Sequence, residues 1–432
     1  MKKICVVGLG YIGIPTAVVA AESGFEVLGY DIDAEKVKRL NSKEAVIEEP
    51  ELGLRLSAVI EEKSFKAFTT IQVADCFVIC VPTPLTEKKQ AELSYVYSAA
   101  EEISKVLKNG DVVLLESTVP VGTSEKVAKF LMEKTGLKAG TDFFFAFCPE
   151  RVLPGKIFYE IVYNSRIVGG INKKSSDIAK QFYSAFVKAD IYYNIDASSA
   201  EMVKLVENSY RDVNIAFAHQ VAGMAESINL DPYAIIELAN KHPRVNILMP
   251  TCGVGGHCIS IDPWFLAETF PNDTQLLVSA RQINNARPQH VLAKLQEHIK
   301  SFRKVNNRNC SIAVLGLTYK ADVDDLRESP ALFIAEQLKM YKYINLMVAE
   351  PNVDIDILSK LFDSNEICNT IDAIKKADLV VSLVAHAQFK EIDGLLLENK
   401  IILDFCKLFA NKDENNLNQA WQFEEKNEAS LS

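Results

Sequence analysis

Three glycines lead into a thiol in Gly253-Val254-Gly255-Gly256-His257-Cys258, and the segment runs on through Ile259-Ser260-Ile261-Asp262-Pro263-Trp264. Glycines let a backbone approach something bulky. A cysteine on such a loop is accessible and can ionise, whereas one inside an apolar strand is inert. A thiolate adds to a carbonyl carbon. The oxidation that gains most from this runs from an alcohol past the aldehyde to an acid. The thiol traps the aldehyde as a thiohemiacetal, a second hydride leaves, and water hydrolyses the thioester. A one-step oxidation of an alcohol needs no nucleophile. His257, next to the thiol, reads first as a residue that shapes the loop.

A hydride needs an acceptor, and the N-terminus offers a place for one. Gly8-Leu9-Gly10-Tyr11-Ile12-Gly13 follows an apolar strand from Lys3 to Val7 and opens a helical pattern from Pro15 to Ser23. A second strand, from Glu26 to Tyr30, ends at Asp31, roughly 20 residues beyond the glycines. In this pattern Gly8 permits a tight turn, Gly10 lets a pyrophosphate approach the backbone, and Gly13 lets helix and strand pack closely. The helix N-terminus then faces the phosphates. Asp31 accepts hydrogen bonds from an adenosine ribose and repels a 2′-phosphate, which favours NAD over NADP. Lys36, Lys38 and Arg39 soften that preference. Val81-Pro82-Thr83-Pro84 and Ser117-Thr118-Val119-Pro120 each end a further strand, so Thr83 and Thr118 fall where such folds bind ligands.

Strands and helices alternate through this region, as in a parallel, doubly wound sheet. The last third repeats the plan. Ser311 to Leu317 echoes the opening strand and its first glycine, Ala377 to Val384 echoes Ala74 to Val81, and Lys400 to Phe405 parallels Asp111 to Ser117. The repeat lacks the full glycine fingerprint, so it is expected to bind something other than a dinucleotide. Between the two, Ser198 to Ile228 reads as one long helix with Ser198 and Glu201 as a capping box. Met202, Leu205, Val206, Val213 and Phe217 are its expected apolar stripe. Lys204, Asn208 and Arg211, at i, i+4 and i+7, share a polar face. The fold expected is α/β, two Rossmann-like doubly wound domains joined by a helical domain, with boundaries at 1–194, 195–303 and 304–432.

The 432 residues are 48% hydrophobic and 24% charged, an ordinary globular balance with material for several cores. A net charge of −10 disfavours a general nucleic-acid or anionic-membrane binder. An anionic small molecule would need a local cluster of Lys and Arg. Nine cysteines lie without metal-type spacing, so no metal is expected. Cys76 and Cys80, in an apolar run, read as buried structural thiols. The odd count and the lack of a secretory signal point to a reducing cytoplasm. No apolar run approaches the roughly 20 residues of a membrane span. The tail after Lys412, rich in Asn and Glu, reads as loosely held.

These motifs together resemble the UDP-glucose/GDP-mannose dehydrogenase family over essentially the whole chain. The resemblance rests on the glycine fingerprint, Ser117-Thr118-Val119-Pro120-Val121-Gly122, the Gly-Gly-His-Cys loop, and Thr318-Tyr319-Lys320-Ala321-Asp322 followed by Leu326-Arg327-Glu328-Ser329-Pro330. Cys148 to Gly155, Leu205 to Asn214 and His242 to Leu248 look most like the branch that oxidises UDP-N-acetyl-D-mannosamine. UDP-glucose enzymes typically carry Phe-Leu in place of Arg151-Val152. One departure is Thr251-Cys252, where that branch tends to have Gly-Pro. It would reshape the approach to Cys258 and bring a second thiol nearby.

The resemblance implies Cys258 as nucleophile and Lys204 as acid/base or oxyanion-stabilising partner. Asn208 and Asp262 support it, and Glu150 assists thioester hydrolysis. It implies that Arg151, Val152, Lys204, Asn208, Arg211, His242, Arg244, Gly255, Tyr319, Lys320 and Lys407 meet the UDP-N-acetylhexosamine. Arg151, Arg211, Arg244, Lys320 and Lys407 supply the positive charge an acidic chain needs. On the NAD side stand Gly8, Gly10, Tyr11, Ile12, Gly13, Asp31, Lys36, Thr83 and Thr118, with Arg327 reaching the pyrophosphate. It further implies a homodimer through the central helix, about 45 Å long by rise per residue. The same chemistry on UDP-N-acetylglucosamine or UDP-glucose stays open, as does a two-electron β-hydroxyacid dehydrogenase, which would need neither Cys258 nor a second α/β domain.

Overall fold

The computed structural model describes residues 1–47 and 49–409; the polar tail discussed above lies outside them. The chain divides into two compact units, residues 1–208 with 261–274, and residues 209–260 with 275 onward.

The first unit is built on an eight-stranded sheet: β1 (Lys3–Val7), β2 (Glu26–Tyr30), β3 (Phe65–Phe68), β4 (Cys76–Ile79), β5 (Val112–Leu115), β6 (Phe144–Phe147), β7 (Arg166–Gly170) and β8 (Ile191–Asp196). The order is β3-β2-β1-β4-β5-β6-β7-β8, parallel throughout except that β7 runs antiparallel to β6. The inner strands read as unbroken apolar runs because helices cover both faces of the sheet. Alternation divides them between two cores: Ile4 and Val6 pack on one face, Cys5 and Val7 on the other. The order reverses between β1 and β4, so their carboxyl ends open a crevice at which Gly8 and Val81 lie.

The second unit carries a parallel four-stranded sheet, β9 (Cys310–Leu315), β10 (Ile344–Ala349), β11 (Leu379–Ser382) and β12 (Ile401–Asp404), in the order β10-β9-β11-β12. This is the order β2-β1-β4-β5 of the first sheet, as the internal repeat implies. A 32-residue helix, Gln275–Asn306, packs beside it.

The long helix spans Ala197–Ser227; one expectation about it fails and another holds only in part. The expected capping box does not form. Asp196 does the capping, its Oδ1 accepting from the Ser199 N–H at 2.7 Å. Glu201 instead accepts from the N–H groups of Gly122 (2.6 Å) and Ser124 (2.7 Å), and so caps the helix Thr123–Thr135, whose own N-cap residue is glycine. Of the expected apolar stripe, Leu205 is fully buried and Val213 half-buried, but the rest faces outward. Met202, Val206 and Phe217 are 43–50% exposed, while Glu201, Lys204, Asp212 and His219 are buried. The inward side mixes small apolar residues such as Ala200, Ala218 and Ala222 with these polar groups, whose charges find partners on other elements. Arg281 donates to Asp212 at 2.5 Å, and Asn284 bonds both Asp212 (2.8 Å) and His219 (2.9 Å).

Candidate active site

In the first unit the β1 turn is shaped for a dinucleotide. Gly8 has φ +93°, and a Cβ there would lie 2.8 Å from the Cys80 carbonyl oxygen. A Cβ on Gly13 would run into the Gly8 carbonyl, whereas one on Gly10 would meet nothing within 4 Å. The open side is the one a pyrophosphate needs. The helix Gly13–Glu22 starts after Ile12 with no side-chain cap, so the positive end of its dipole faces the turn, as an anion there requires. Tyr11 packs against the core beside it.

The Asp31 carboxylate is preset, Oδ2 accepting from Leu9 N–H and Lys36 Nζ (2.9 Å each) and Oδ1 from Asp33 N–H (3.0 Å). Lys36 is thereby committed to Asp31 instead of standing ready for a 2′-phosphate, which sharpens the preference for NAD. The Thr83 hydroxyl donates to the Thr118 carbonyl at 2.7 Å and Ser117 Oγ to the Val81 carbonyl at 2.7 Å, tying the ends of β4 and β5 together. These residues fit NAD.

Also in this unit, Lys204 is 6% exposed and reaches Glu150 twice, at Oε1 (2.8 Å) and at the backbone oxygen (2.9 Å). Asn208, one turn on, donates to Asp262 Oδ2 at 2.5 Å. Asp262 stands in the first turn of the helix Asp262–Thr269. Burial raises its carboxyl to about 7 and the Glu150 charge adds to this, against the opposing pull of Lys204 and Asn208. Burial pushes Glu150 the same way, but Lys204 and the Val152 N–H outweigh it and hold Glu150 below the usual carboxylate range. Two carboxylates near one buried ammonium thus take opposite protonation tendencies. Such divergence is typical of acid–base sites.

A buried group that sequence reading missed lies in the same unit. Arg166 is 2% exposed, Tyr183 Oη donates to Glu116 at 2.8 Å, and the Arg166 charge helps hold Glu150 ionised. Arg166 and Glu116 sit in strand-like apolar runs, so only a charge in such a run could have signalled them. Cys80 is less enclosed than expected, half-buried with its Sγ 3.4 Å from Glu116, but burial and that carboxylate push the thiol well up.

In the second unit, Cys258 is exposed while the other eight cysteines are buried or half-buried. The loop before it is pinned by close contacts. Gly256 has φ +80° and a Cβ there would fall 2.8 Å from the Tyr319 ring; one on Gly255 would strike the Glu328 carbonyl. Burial, with the charges of Asp325 and Cys258, raises the Tyr319 phenol to about 12. His257 is held below its ordinary value by burial and by Arg327. The Thr251-Cys252 departure is absorbed. Thr251 donates its N–H to His219 Nε2 (3.2 Å) and takes Arg287 Nε on its carbonyl (3.1 Å). Cys252 is buried, its Sγ 3.6 Å from the Leu383 carbonyl and its thiol pushed to about 12 by burial, so it is no second reactive thiol.

The cations expected to hold the nucleotide differ in their freedom. Arg211, His242 and Arg244 are exposed, and Arg244 N–H donates to His242 Nδ1 at 3.3 Å. Val152 and Lys320 are half-buried. Arg151 is taken up by Glu207 in a two-pronged pair (2.7 and 3.2 Å) and by the Ser165 carbonyl, and Lys407 is paired with Glu237. Two of the five expected positive charges are therefore neutralised within their own unit. Arg327 likewise forks onto Asp325 (2.6 and 2.9 Å). Among the described residues no His, Cys, Asp and Glu cluster could hold a metal ion, and no helix is long and apolar enough to cross a membrane.

Comparison with known proteins covers nearly the whole chain. Models of the UDP-glucose/GDP-mannose dehydrogenase family match the NAD binding domain at 2–187, the central domain at 198–286 and the UDP binding domain at 313–411. The chain is 40% identical to an NDP-N-acetyl-D-galactosaminuronic acid dehydrogenase of Ralstonia solanacearum, over 95% of its own length and 97% of the relative's. It is 40% identical to a UDP-N-acetyl-D-mannosamine dehydrogenase of Campylobacter jejuni, over 94% and 99%. Its fold is similar to that of a UDP-D-ManNAc dehydrogenase from Pyrococcus horikoshii, with a TM-score of 0.85, 40% identity and coverage of 94% and 96%. The chain belongs to the UDP-glucose/GDP-mannose dehydrogenase family of NAD-dependent nucleotide-sugar dehydrogenases.

Proposed function

We propose that this enzyme oxidises UDP-N-acetyl-D-mannosamine at C6 to UDP-N-acetyl-D-mannosaminuronate, a four-electron reaction that consumes two NAD+ and one water. The observation that carries the mechanism is the exposed Cys258 thiol on its glycine loop, alone in its exposure among nine cysteines. The sugar assignment draws on the relatives named for this activity and on the run His242-Pro243-Arg244-Val245-Asn246.

Each oxidation sends a hydride to the nicotinamide, which is the chemistry NAD supplies. The chain's residues do the rest. Lys204, its Nζ oriented by Glu150, stabilises negative charge developing on the C6 oxygen. Cys258 Sγ adds to the aldehyde carbon to give a thiohemiacetal, and the second oxidation leaves a thioester. Glu150 assists the water that cleaves it, freeing the uronate and the thiol. Asp262, held by the Asn208 amide, exchanges a proton with Lys204. The candidate nucleotide contacts are those named from the resemblance, with Arg151 and Lys407 acting only if substrate displaces their carboxylates.

The functional parts are read as 1–194, 195–303 and 304–432, and the enzyme as a cytoplasmic homodimer. The exposed apolar positions of the long helix, Met202, Val206, Tyr210, Phe217 and Met224, support pairing through that helix. A second sugar is favoured by a specific observation, since the Ralstonia relatives are named for N-acetyl-D-galactosaminuronic acid at 40–41% identity. The test is NADH yield per mole of limiting sugar. UDP-N-acetylmannosamine is run beside UDP-N-acetylgalactosamine, UDP-N-acetylglucosamine and UDP-glucose. Two equivalents from the first alone support the proposal. Two from another sugar keep the mechanism and change the substrate, and one equivalent removes Cys258 from its role.

A further inference from the structure

The two Rossmann-like sheets use the same turn to different ends. Gly316-Leu317-Thr318-Tyr319-Lys320-Ala321 follows β9 as Gly8-Leu9-Gly10-Tyr11-Ile12-Gly13 follows β1, and Gly316 (φ +87°) takes the place of Gly8. Glu350, at the end of β10, takes the place of Asp31. It accepts from Leu317 N–H at 2.7 Å and Thr318 N–H at 3.2 Å, as Asp31 accepts from Leu9. Where Gly10 leaves space open, Thr318 fills it and is fully buried.

Over this turn lies His386, a fully buried imidazole. Its Nδ1 faces the Asp322 N–H at 3.0 Å and Asn352 Nδ2 at 2.7 Å. A backbone N–H can only donate, so Nδ1 is the acceptor. The proton therefore sits on Nε2, which lies 3.1 Å from Glu350 Oε2 and 3.3 Å from Thr318 Oγ1. Thr318 Oγ1 in turn donates to the Lys320 carbonyl at 2.8 Å. Asp322 Oδ1 accepts from Ala387 N–H at 2.8 Å, and Asp322 itself has φ +61°, a conformation this clasp sustains. The turn so fixed carries Tyr319, whose ring lies where any side chain at Gly256 would be, on the loop that presents Cys258.

We propose that His386, as the neutral Nε2–H tautomer, is a positioning residue that clasps the Thr318–Asp322 turn and so sets Tyr319 against the Cys258 loop and the nucleotide sugar. It touches neither substrate nor reacting atoms. Its consequence for the sugar rests on the function proposed above; its consequence for the thiol does not.

The test compares His386→Asn with His386→Gln in the full chain. Asn places its oxygen near the position of Nδ1 and keeps the acceptor for Asp322. Gln places its amide nearer Nε2 and loses that acceptor. Three readings are taken: KM for the nucleotide sugar, KM for NAD, and the rate at which iodoacetamide alkylates Cys258, followed by peptide mass spectrometry. His386→Gln should raise the sugar KM at least tenfold, leave the NAD KM within twofold, and change the alkylation rate at least threefold. His386→Asn should stay within threefold of wild type in all three. Equal damage by both variants, an NAD KM that moves in step, or an unchanged alkylation rate would overturn the proposal. Should the wild type oxidise no UDP-sugar, the function fails while the alkylation rates still judge the clasp. If His386→Gln does not fold, 15N spectra of histidine-labelled wild-type enzyme decide, and an imidazolium or an Nδ1–H tautomer at His386 refutes the arrangement.

Discussion

Asp262→Asn should make the protein more stable while crippling it as an enzyme. Asp262 is 2% exposed, and its carboxyl is raised from 3.8 to about 7 chiefly by burial. A carboxyl raised in this way binds its proton in the folded chain at pH values where the unfolded chain has released it. Stability therefore falls as pH rises from about 4 to about 7, and is flat above. At 1.36 kcal/mol per unit, this amounts to about 4 kcal/mol of destabilisation carried above pH 7. Asparagine keeps the shape and an oxygen for Asn208 but carries no charge to bury. The gap in melting temperature between variant and wild type should thus be small at pH 4.5, widen to pH 7, and then hold constant. Calorimetric scans across that range measure it, and NADH production measures the accompanying loss of turnover. A gap that is the same at pH 4.5 and 8.5, or a variant less stable at pH 8.5, would refute the reasoning. A residue that costs stability and is needed for activity marks a functional site, because folding alone would discard it.

Three further outcomes follow from the same contacts. Cys258→Ser should still consume sugar and NAD in the first oxidation but release no uronate; near-normal yield of two NADH per sugar would remove the thiol from the mechanism. Glu201→Ala deprives the Gly122 and Ser124 N–H groups of their acceptor, so about 1–3 kcal/mol should be lost in chemical denaturation of the first unit; a loss under 0.5 kcal/mol would show that water replaces the carboxylate. His219 is held at about 3 by burial and by Arg287, well below its ordinary 6.5. It is neutral in the fold and charged when unfolded at mild acid, so it erodes stability as pH falls from 6.5 toward 3. By pH 5 that erosion is about 2 kcal/mol. His219→Gln, which keeps an acceptor for Thr251 N–H without a titrating ring, should lose about that much acid sensitivity between pH 7 and 5, and an unchanged acid limb in its melting profile would exclude the account.

What could be read from sequence was local. The turn at Gly8, the acid at Asp31 and the Cys258 loop declare themselves within 25 residues or fewer, because each depends on backbone conformation and its immediate neighbours. The inward face of the long helix could not be read, since its buried polar groups are satisfied from far along the chain. Asp212 meets Arg281, His219 meets Asn284, and Glu201 meets Gly122. Hydrophobic periodicity assumes that inward means apolar, and here the outward side holds Phe217 and Met224. The pairing of Arg151 and Lys407 was likewise not legible, because Glu207 and Glu237 lie elsewhere in the sequence.

The repeat shows how far a local motif reaches. Asp31 and Glu350 end equivalent strands and accept equivalent backbone N–H groups, so the strand–turn signal is the same in both sheets. Their different uses are decided by what stands nearby. Beside Asp31 the turn is opened by Gly10, and a lysine five residues on balances the charge. Beside Glu350 the turn is closed by Thr318 and by a histidine 36 residues on. An open acid can receive a ribose, whereas a closed one can only brace the turn above it. The first sheet thereby keeps the opening that a dinucleotide needs, and in the function proposed above the second presents Tyr319 and Lys320 to the nucleotide sugar.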